Sequence, residues 1–238
     1  MFDIIQSLWV GGELSQVEQM CIRSFLYHGH RFHLYTYGEV KGVPNGTVVK
    51  SADDLVRMSE IKRFQNLANF SDFFRYTMLR ANGNWWCDLD MFCLKPFAFP
   101  EPYVFASQLC DWGDEHPQKI TCCAVKVPAG CELMERCLDR IEKTDLKTNS
   151  WPAIGPENLE ESAISLGLQS YMKPKNVFCP LDHFYAPPNI FFPESGSTKF
   201  GPETYGVHLW NEEMRRFNLD KNAAYPGSLF ARLMDNGQ

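Results

Sequence analysis

Apolar and polar positions along the chain predict strands and helices in alternation. Residues 2–10 are apolar except for Asp3, Gln6 and Ser7 and end at Gly11-Gly12, which predicts a buried first strand. Ser15 and Glu18 stand in S-x-x-E spacing, and Val17, Cys21, Phe25 and Leu26 recur at helical intervals. That is a capping box opening a helix, which Gly29 stops near His28. Residues 31–37 and 47–50 predict two further strands on either side of a Pro44-Asn45-Gly46 turn. The polar stretch 51–69 predicts short helices and loop.

Ser71 is expected to cap a helix that runs to about Asn82 and closes at Gly83. Residues 84–90 alternate into a strand, and residues 103–107 and 119–127 predict two more. Helical periodicity returns in residues 130–143, through Leu133, Met134, Cys137, Leu138 and Ile141, and again in residues 157–168. Residues 205–210 predict a last strand and residues 226–234 a terminal helix. Residues 111–118 and 182–203, rich in Pro, Gly and Phe, are expected to be loops.

This order is that of an α/β protein with a mostly parallel, Rossmann-like central sheet flanked by helices. A length of 238 residues suits a single domain. Such sheets bind ligands beyond the C-terminal ends of their strands. No G-x-G-x-x-G follows the first strand and no G-x-x-x-x-G-K-[ST] occurs, so dinucleotide oxidoreductases and P-loop enzymes recede.

Composition narrows the choice. A net charge of −6, from 23 basic and 29 acidic residues, argues against binding nucleic acid by phosphate neutralisation and against a polybasic membrane anchor. An anionic ligand would need local Arg or Lys, or a metal. No apolar run approaches the roughly 18–20 residues of a spanning helix, and residues 2–10 lack the basic start of a signal peptide. The 9 cysteines show no C-x-x-C pair, which predicts reduced core thiols in a cytoplasmic protein. Aromatics make up 14% of the chain, enough to thicken a core or to line a pocket for ring-shaped ligands. His28, His30 and His33 fall between a helix end and a strand, with no carboxylate nearby in sequence, and are not read as a zinc site. Asp111 to Asp114 is expected in a loop over the site rather than as a second metal centre.

The chemistry concentrates in SDFFRYTMLRANGNWWCDLDMFCLKPF, residues 71–97. Asp88 and Asp90 are spaced i, i+2, which on a strand puts both carboxylates on one face. There they can converge on one hard cation, and Mg²⁺ or Mn²⁺ takes such oxygen ligands together with substrate phosphates. A D-x-D arises by chance roughly once in a chain of this size, usually as a solvated strand end. Here Trp85, Trp86 and Cys87 keep the strand apolar up to the first Asp, and a buried strand does not end in paired like charges without a partner. Asp72 and Arg75 share one face of the preceding helix; alone, such a pair is a weak local ion pair.

This segment resembles the DXD-containing sugar-nucleotide glycosyltransferases, especially glycosyltransferase family 32, its capsule-type relatives and the clostridial glucosylating toxins. The shared pattern here is Ser71, Asp72, Arg75, Tyr76, Leu79, Gly83, Trp86, Asp88, Asp90, Leu94, Lys95 and Pro96. IIQSLWVGG (residues 4–12), IGPENL (residues 154–159) and VHLWN (residues 207–211) are similar to the family's first strand, its G-P element and its last strand. The resemblance implies a GT-A-like single domain with a donor-binding part over residues 1–97 and an acceptor-side part over residues 98–238.

It also implies roles. Trp9 matches the ring that stacks on the nucleobase, Asp72 and Arg75 the pair that holds donor sugar and diphosphate. Asp88 matches the residue that touches ribose or sugar hydroxyls and helps with metal, Asp90 the direct metal ligand. His208 stands where relatives place a C-terminal metal or phosphate ligand, with Trp210 and Asn211 beside it closing over the diphosphate. Glu157 or Asn158 is expected to face the anomeric carbon. The implied activity is transfer of a hexose from a UDP-sugar, with Mn²⁺ or Mg²⁺ and with retention, to a glycan, lipid-linked or protein acceptor. The implied place is the cytoplasm, with association at the membrane's inner face left open for a lipid-linked acceptor. One departure stands out: the family usually has Tyr where this chain has Trp86, which cannot supply a phenol hydroxyl. From the residues alone, a nucleotidyltransferase or a non-catalytic sugar-binding module stays open, although Gly11-Gly12-Glu13 lacks the basic Gly-rich loop of the former.

Overall fold

In the computed structural model, residues 3–109, 118–148 and 151–236 are described, apart from the side chains of 151, 184, 187, 188 and 236. The expected loop over the site, Asp111 to Asp114, lies outside the described residues. The strands are β1 (Ile5–Trp9), β2 (Phe32–Thr36), β3 (Val48–Ser51), β4 (Asn84–Cys87), β5 (Met91–Cys93), β6 (Val104–Gln108), β7 (Lys119–Val127) and β8 (Gly206–His208). The helices are α1 (Gln16–Tyr27), α2 (Leu67–Asn82), α3 (Glu132–Glu142), α4 (Pro156–Ser165), α5 (Ala186–Phe191), α6 (Asn211–Arg216) and α7 (Leu229–Asn236).

Six strands form the main sheet in the order β3-β2-β1-β4-β7-β6. β1, β2, β3 and β4 run parallel, and β7 alone is reversed between β4 and β6. The expected mostly parallel α/β sheet is therefore present. Strand alternation sorts its side chains to two faces. Trp86, Phe105 and Val125 meet α2, α3 and α4 on one face, while Trp85, Cys87, Val104 and Ala124 meet α1 on the other. Trp85 and Trp86 are both fully enclosed, so β4 anchors both layers just before the acidic motif.

Three expectations change. Asn66, not Ser71, caps α2: its side chain accepts from the Asn69 N–H at 2.9 Å, which adds a turn ahead of Ser71. The strand expected over 84–90 ends at Cys87, and the chain turns there. The expected loop 182–203 contains α5 and short 3₁₀ turns, because Pro187 and Pro188 sit in the first turn of α5, where no intrahelical donor is needed.

A second, two-stranded sheet positions the site. β5 leaves the main sheet after Asp90 and pairs antiparallel with β8, with Met91 opposite His208 and Cys93 opposite Gly206. A third apolar cluster of Phe92, Val207, Leu209, Ile190, Phe191, Leu229, Phe230 and Leu233 packs α5 and α7 against this ribbon. No helix of the described residues is long and apolar enough to cross a membrane.

Candidate active site

Asp88 and Asp90 lie just beyond the C-terminal end of β4, in a turn closed by the Met91 N–H on the Asp88 carbonyl at 3.0 Å. They converge through this turn, not through strand pleating as the i, i+2 spacing suggests. β5–β8 pairing then delivers His208. Its Nε2 lies 3.3 Å from Asp90 Oδ1 and 4.0 Å from Asp88 Oδ2. One ligand atom from each of the three lies within 4.8 Å of the others. Asp90 and His208 are buried, whereas the Asp88 side chain is 28% exposed. The cluster opens to solvent on the Asp88 side.

The surroundings fix the charge on these groups. Burial opposes ionisation of Asp90, but His208 and the Asn211 N–H, which donates to Asp90 Oδ2 at 2.7 Å, hold its carboxyl below the usual range. Burial likewise opposes a charged His208, and the Asp90 carboxylate outweighs it, pushing the imidazole up to about 10. Without a bound cation, the protonated imidazole serves as the counter-charge. A divalent cation would take over that role and displace the proton. Two carboxylates and one imidazole, partly open, suit Mn²⁺ or Mg²⁺.

Behind Asp88 sits a buried cation. Asp72 and Arg75 face each other one turn apart on α2, and Arg75 Nη1 donates to Asp72 Oδ1. Arg75 Nη2 donates to Asp88 Oδ1 at 3.0 Å, and the guanidinium lies 4.7 Å from the centre of the Trp86 ring. Burial pushes the Asp72 carboxyl up to about 6, and Arg75 limits the rise, so it stays ionised at neutral pH. Trp86 Nε1 donates to Asp88 Oδ1 at 2.7 Å. The indole, unable to offer a phenol hydroxyl, thus supplies a hydrogen bond of its own to the acidic turn.

The G-P element belongs here as well. A Cβ on Gly155 would stand 2.5 Å from Asp72 Oδ2, so only glycine lets this loop approach the carboxylate. Tyr76 ties it down by donating to the Gly155 carbonyl at 2.7 Å. Asn158, three residues on, is not brought to the cluster. Its Nδ2 donates to the Cys137 carbonyl at 2.9 Å, Ser162 donates to its Oδ1, and the residue is buried between α3 and α4. Glu157 is exposed.

Trp9 ends β1, half-buried, with its Nε1 enclosed and without a hydrogen-bond partner among the described residues. Lys221 Nζ stands 5.6 Å from its ring centre. Trp210 adopts a left-handed backbone (φ 56°) at the head of α6. Its ring centre is 4.1 Å from that of His208, and its Nε1 donates to the Leu181 carbonyl at 2.9 Å. Asn211 follows, with its N–H on Asp90 and its Nδ2 on Glu18 Oε1 at 2.9 Å. Two contributors escaped the sequence reading, Lys221 and Glu18 beyond its capping role, and Gly155 was read only as part of the G-P element. Of the histidines near β2, His30 bridges the Asp3 carbonyl through Nδ1 (3.0 Å) and the Phe97 N–H through Nε2 (2.9 Å).

No protein-family model matches the chain, and no curated protein matches it in sequence. Among solved structures it is similar to one described as "PaToxG Glycosyltransferase", with a TM-score of 0.53 over 99% of this chain and 88% of that one, at 10% identity. Two others, described as a transferase and a mutant of a transferase, give TM-scores of 0.43 and 0.42. They cover 73% and 71% of this chain and 90% and 84% of theirs, at 8% and 9% identity. The likeness to the first is one of fold: this chain has the α/β architecture of a protein described as a glycosyltransferase.

Proposed function

We propose that the chain is a metal-dependent glycosyltransferase that moves a hexose from a UDP-sugar to an acceptor, with retention of configuration. The observation that carries this reading is the meeting of Asp88, Asp90 and His208 beyond the end of β4, at the edge of the sheet where α/β folds take their ligands. Asp90, Asp88 and His208 would hold Mn²⁺ or Mg²⁺, which supplies counter-charge for the departing diphosphate. In a protein of net charge −6 that counter-charge is a condition of binding such a donor.

The remaining roles follow from what each side chain touches. Arg75 and Asp72 are buried and paired, so their part is to hold Asp88 in place, helped by Trp86. Trp9 offers an aromatic edge for the base, and Trp210 packs His208 toward Asp90. Asn211 fixes the far oxygen of Asp90 through its backbone. The amide of Asn158 serves α3–α4 packing, and we assign it no contact with substrate. Residues 1–97 carry most of the donor side and residues 98–238 the acceptor side, with a glycan, lipid-linked or protein acceptor. We place the activity in the cytoplasm, at the inner face of the membrane where the acceptor is lipid-linked.

The test is release of nucleoside diphosphate from a panel of nucleotide sugars, with Mn²⁺ or with EDTA. The expected result is slow, metal-dependent release from one UDP-sugar. No release from any donor, together with no thermal shift by UDP and Mn²⁺, would overturn the reading in favour of a binding module.

A further inference from the structure

Glu18 is fully buried, and four donors meet its carboxylate. The Ser15 N–H and hydroxyl donate to Oε2, while Asn211 Nδ2 and Lys221 Nζ donate to Oε1. Three of these donors are held by secondary structure, since Ser15 caps α1 and Asn211 opens α6. Lys221 lies in the connection from α6 to α7, and its side chain is 29% exposed. It alone can turn away, and Glu18 then keeps three hydrogen bonds, so no buried carboxylate is orphaned.

The same ammonium stands over Trp9. A continuous chain of contacts therefore runs from Trp9 through Lys221, Glu18 and Asn211 to Asp90. Its ends are the ring assigned to the base and the carboxylate assigned to the metal-bound diphosphate. A nucleotide would have to bridge those ends, and Lys221, beside Trp9 and 29% exposed, is the cation on that path. Two enclosed polar atoms along the same path, Trp9 Nε1 and Asn211 Oδ1, have no partner among the described residues. Enclosed polar atoms without partners mark places where a ligand or water completes the bonding.

We propose that Lys221 is a phosphate-binding residue of the donor site, docked on Glu18 without nucleotide and re-aimed to a nucleotide phosphate when one binds, with Glu18 as its positioning residue. This rests on the transferase reading above. A lysine suits the role because its ammonium is a point charge on a flexible stem with three donors.

The experiment is calorimetric binding of UDP, UMP and uridine in the presence of Mn²⁺ to the wild-type chain and to Lys221→Met, Lys221→Arg and Glu18→Gln. A charged hydrogen bond of this kind corresponds to about a 10- to 100-fold loss of UDP and UMP affinity in Lys221→Met, with uridine unchanged. Lys221→Arg is expected to recover part of that loss. Glu18→Gln, if it folds, keeps an accepting oxygen for Ser15 but turns an amide NH₂ toward Asn211 and Lys221, and weakens UDP binding less than Lys221→Met. UDP binding of wild-type strength in Lys221→Met overturns the assignment and leaves the transferase reading intact. An equal loss of uridine and UDP also overturns it, since Lys221 would then only shape the base platform. A wild-type chain that takes up none of the three with Mn²⁺ overturns the transferase reading and this assignment with it.

Discussion

Replacing Asp90 by Asn probes the candidate metal cluster with little disturbance of the fold. Asn has nearly the same volume, and its oxygen can still accept from the Asn211 N–H at the position of Oδ2. The amide nitrogen then faces His208 Nε2, 3.3 Å away in the wild type, and a neutral imidazole can accept from it. The substitution removes one half of a buried ion pair, so with the imidazole neutral and both hydrogen bonds kept stability should fall by about 1–3 kcal/mol. The chemistry should suffer far more. Of three candidate ligands, the one lost is the buried carboxylate, and Asp88 and His208 remain. By analogy with losing one strong electrostatic contact in a water-excluded site, turnover should fall about 10²–10³-fold, or about 3–4 kcal/mol. The Mn²⁺ concentration for half-maximal rate should rise at least about 10-fold. The assay is nucleoside diphosphate release across a Mn²⁺ titration, with melting temperature measured on the same samples. Wild-type turnover and an unchanged Mn²⁺ requirement in a folded Asp90→Asn protein would refute the reasoning.

Other outcomes follow from single contacts. Gly155→Ala should destabilise the protein by about 1–3 kcal/mol in urea unfolding, because the new Cβ must push aside an Asp72 carboxylate pinned by Arg75. Trp86→Phe keeps the ring over Arg75 but removes the donor to Asp88, and should lower kcat/KM about 10-fold with little change in melting temperature. His30 is pushed down by burial, and its protonated ring would set a second N–H against that of Phe97. The unfolded chain then binds the extra proton, so stability falls as pH drops below about 6.5, by at most about 1.4 kcal/mol per pH unit. A His30→Gln variant whose urea midpoint keeps the wild-type slope from about 1.5 units below the free imidazole value up to that value would contradict that.

Local signals carried the fold well. The apolar runs of β1, β2, β6 and β7 and the Gly29 and Gly83 stops depend on neighbours in sequence, and the structure has them. The Ser15–Glu18 box was legible for the same reason, but Glu18's second duty was not. Its partners Asn211 and Lys221 lie 193 and 203 residues away, and no spacing rule reaches that far. The acidic pair was legible as a pair, while its geometry was misread. A period of two assumes the strand continues, and β4 ends one residue before Asp88. β5 and β8 have three residues each, too few for periodicity, so the ladder that brings His208 to Asp90 is visible only in space. Asn158 shows the opposite failure: a polar residue beside the G-P element looked functional, and tertiary packing uses it to satisfy a helix carbonyl.

The β5–β8 ribbon also sets the order in which competence can arise as the chain is made. Both carboxylates, Arg75 and Trp9 precede residue 91, whereas His208, the Asn211 N–H and Lys221 all follow residue 205. A nascent chain leaving the ribosome from its N-terminus therefore displays the acidic turn long before its imidazole and backbone donor exist. The two strands can zip only after α5 and α7 have residues to cover them, which couples completion of the cluster to docking of the last apolar layer.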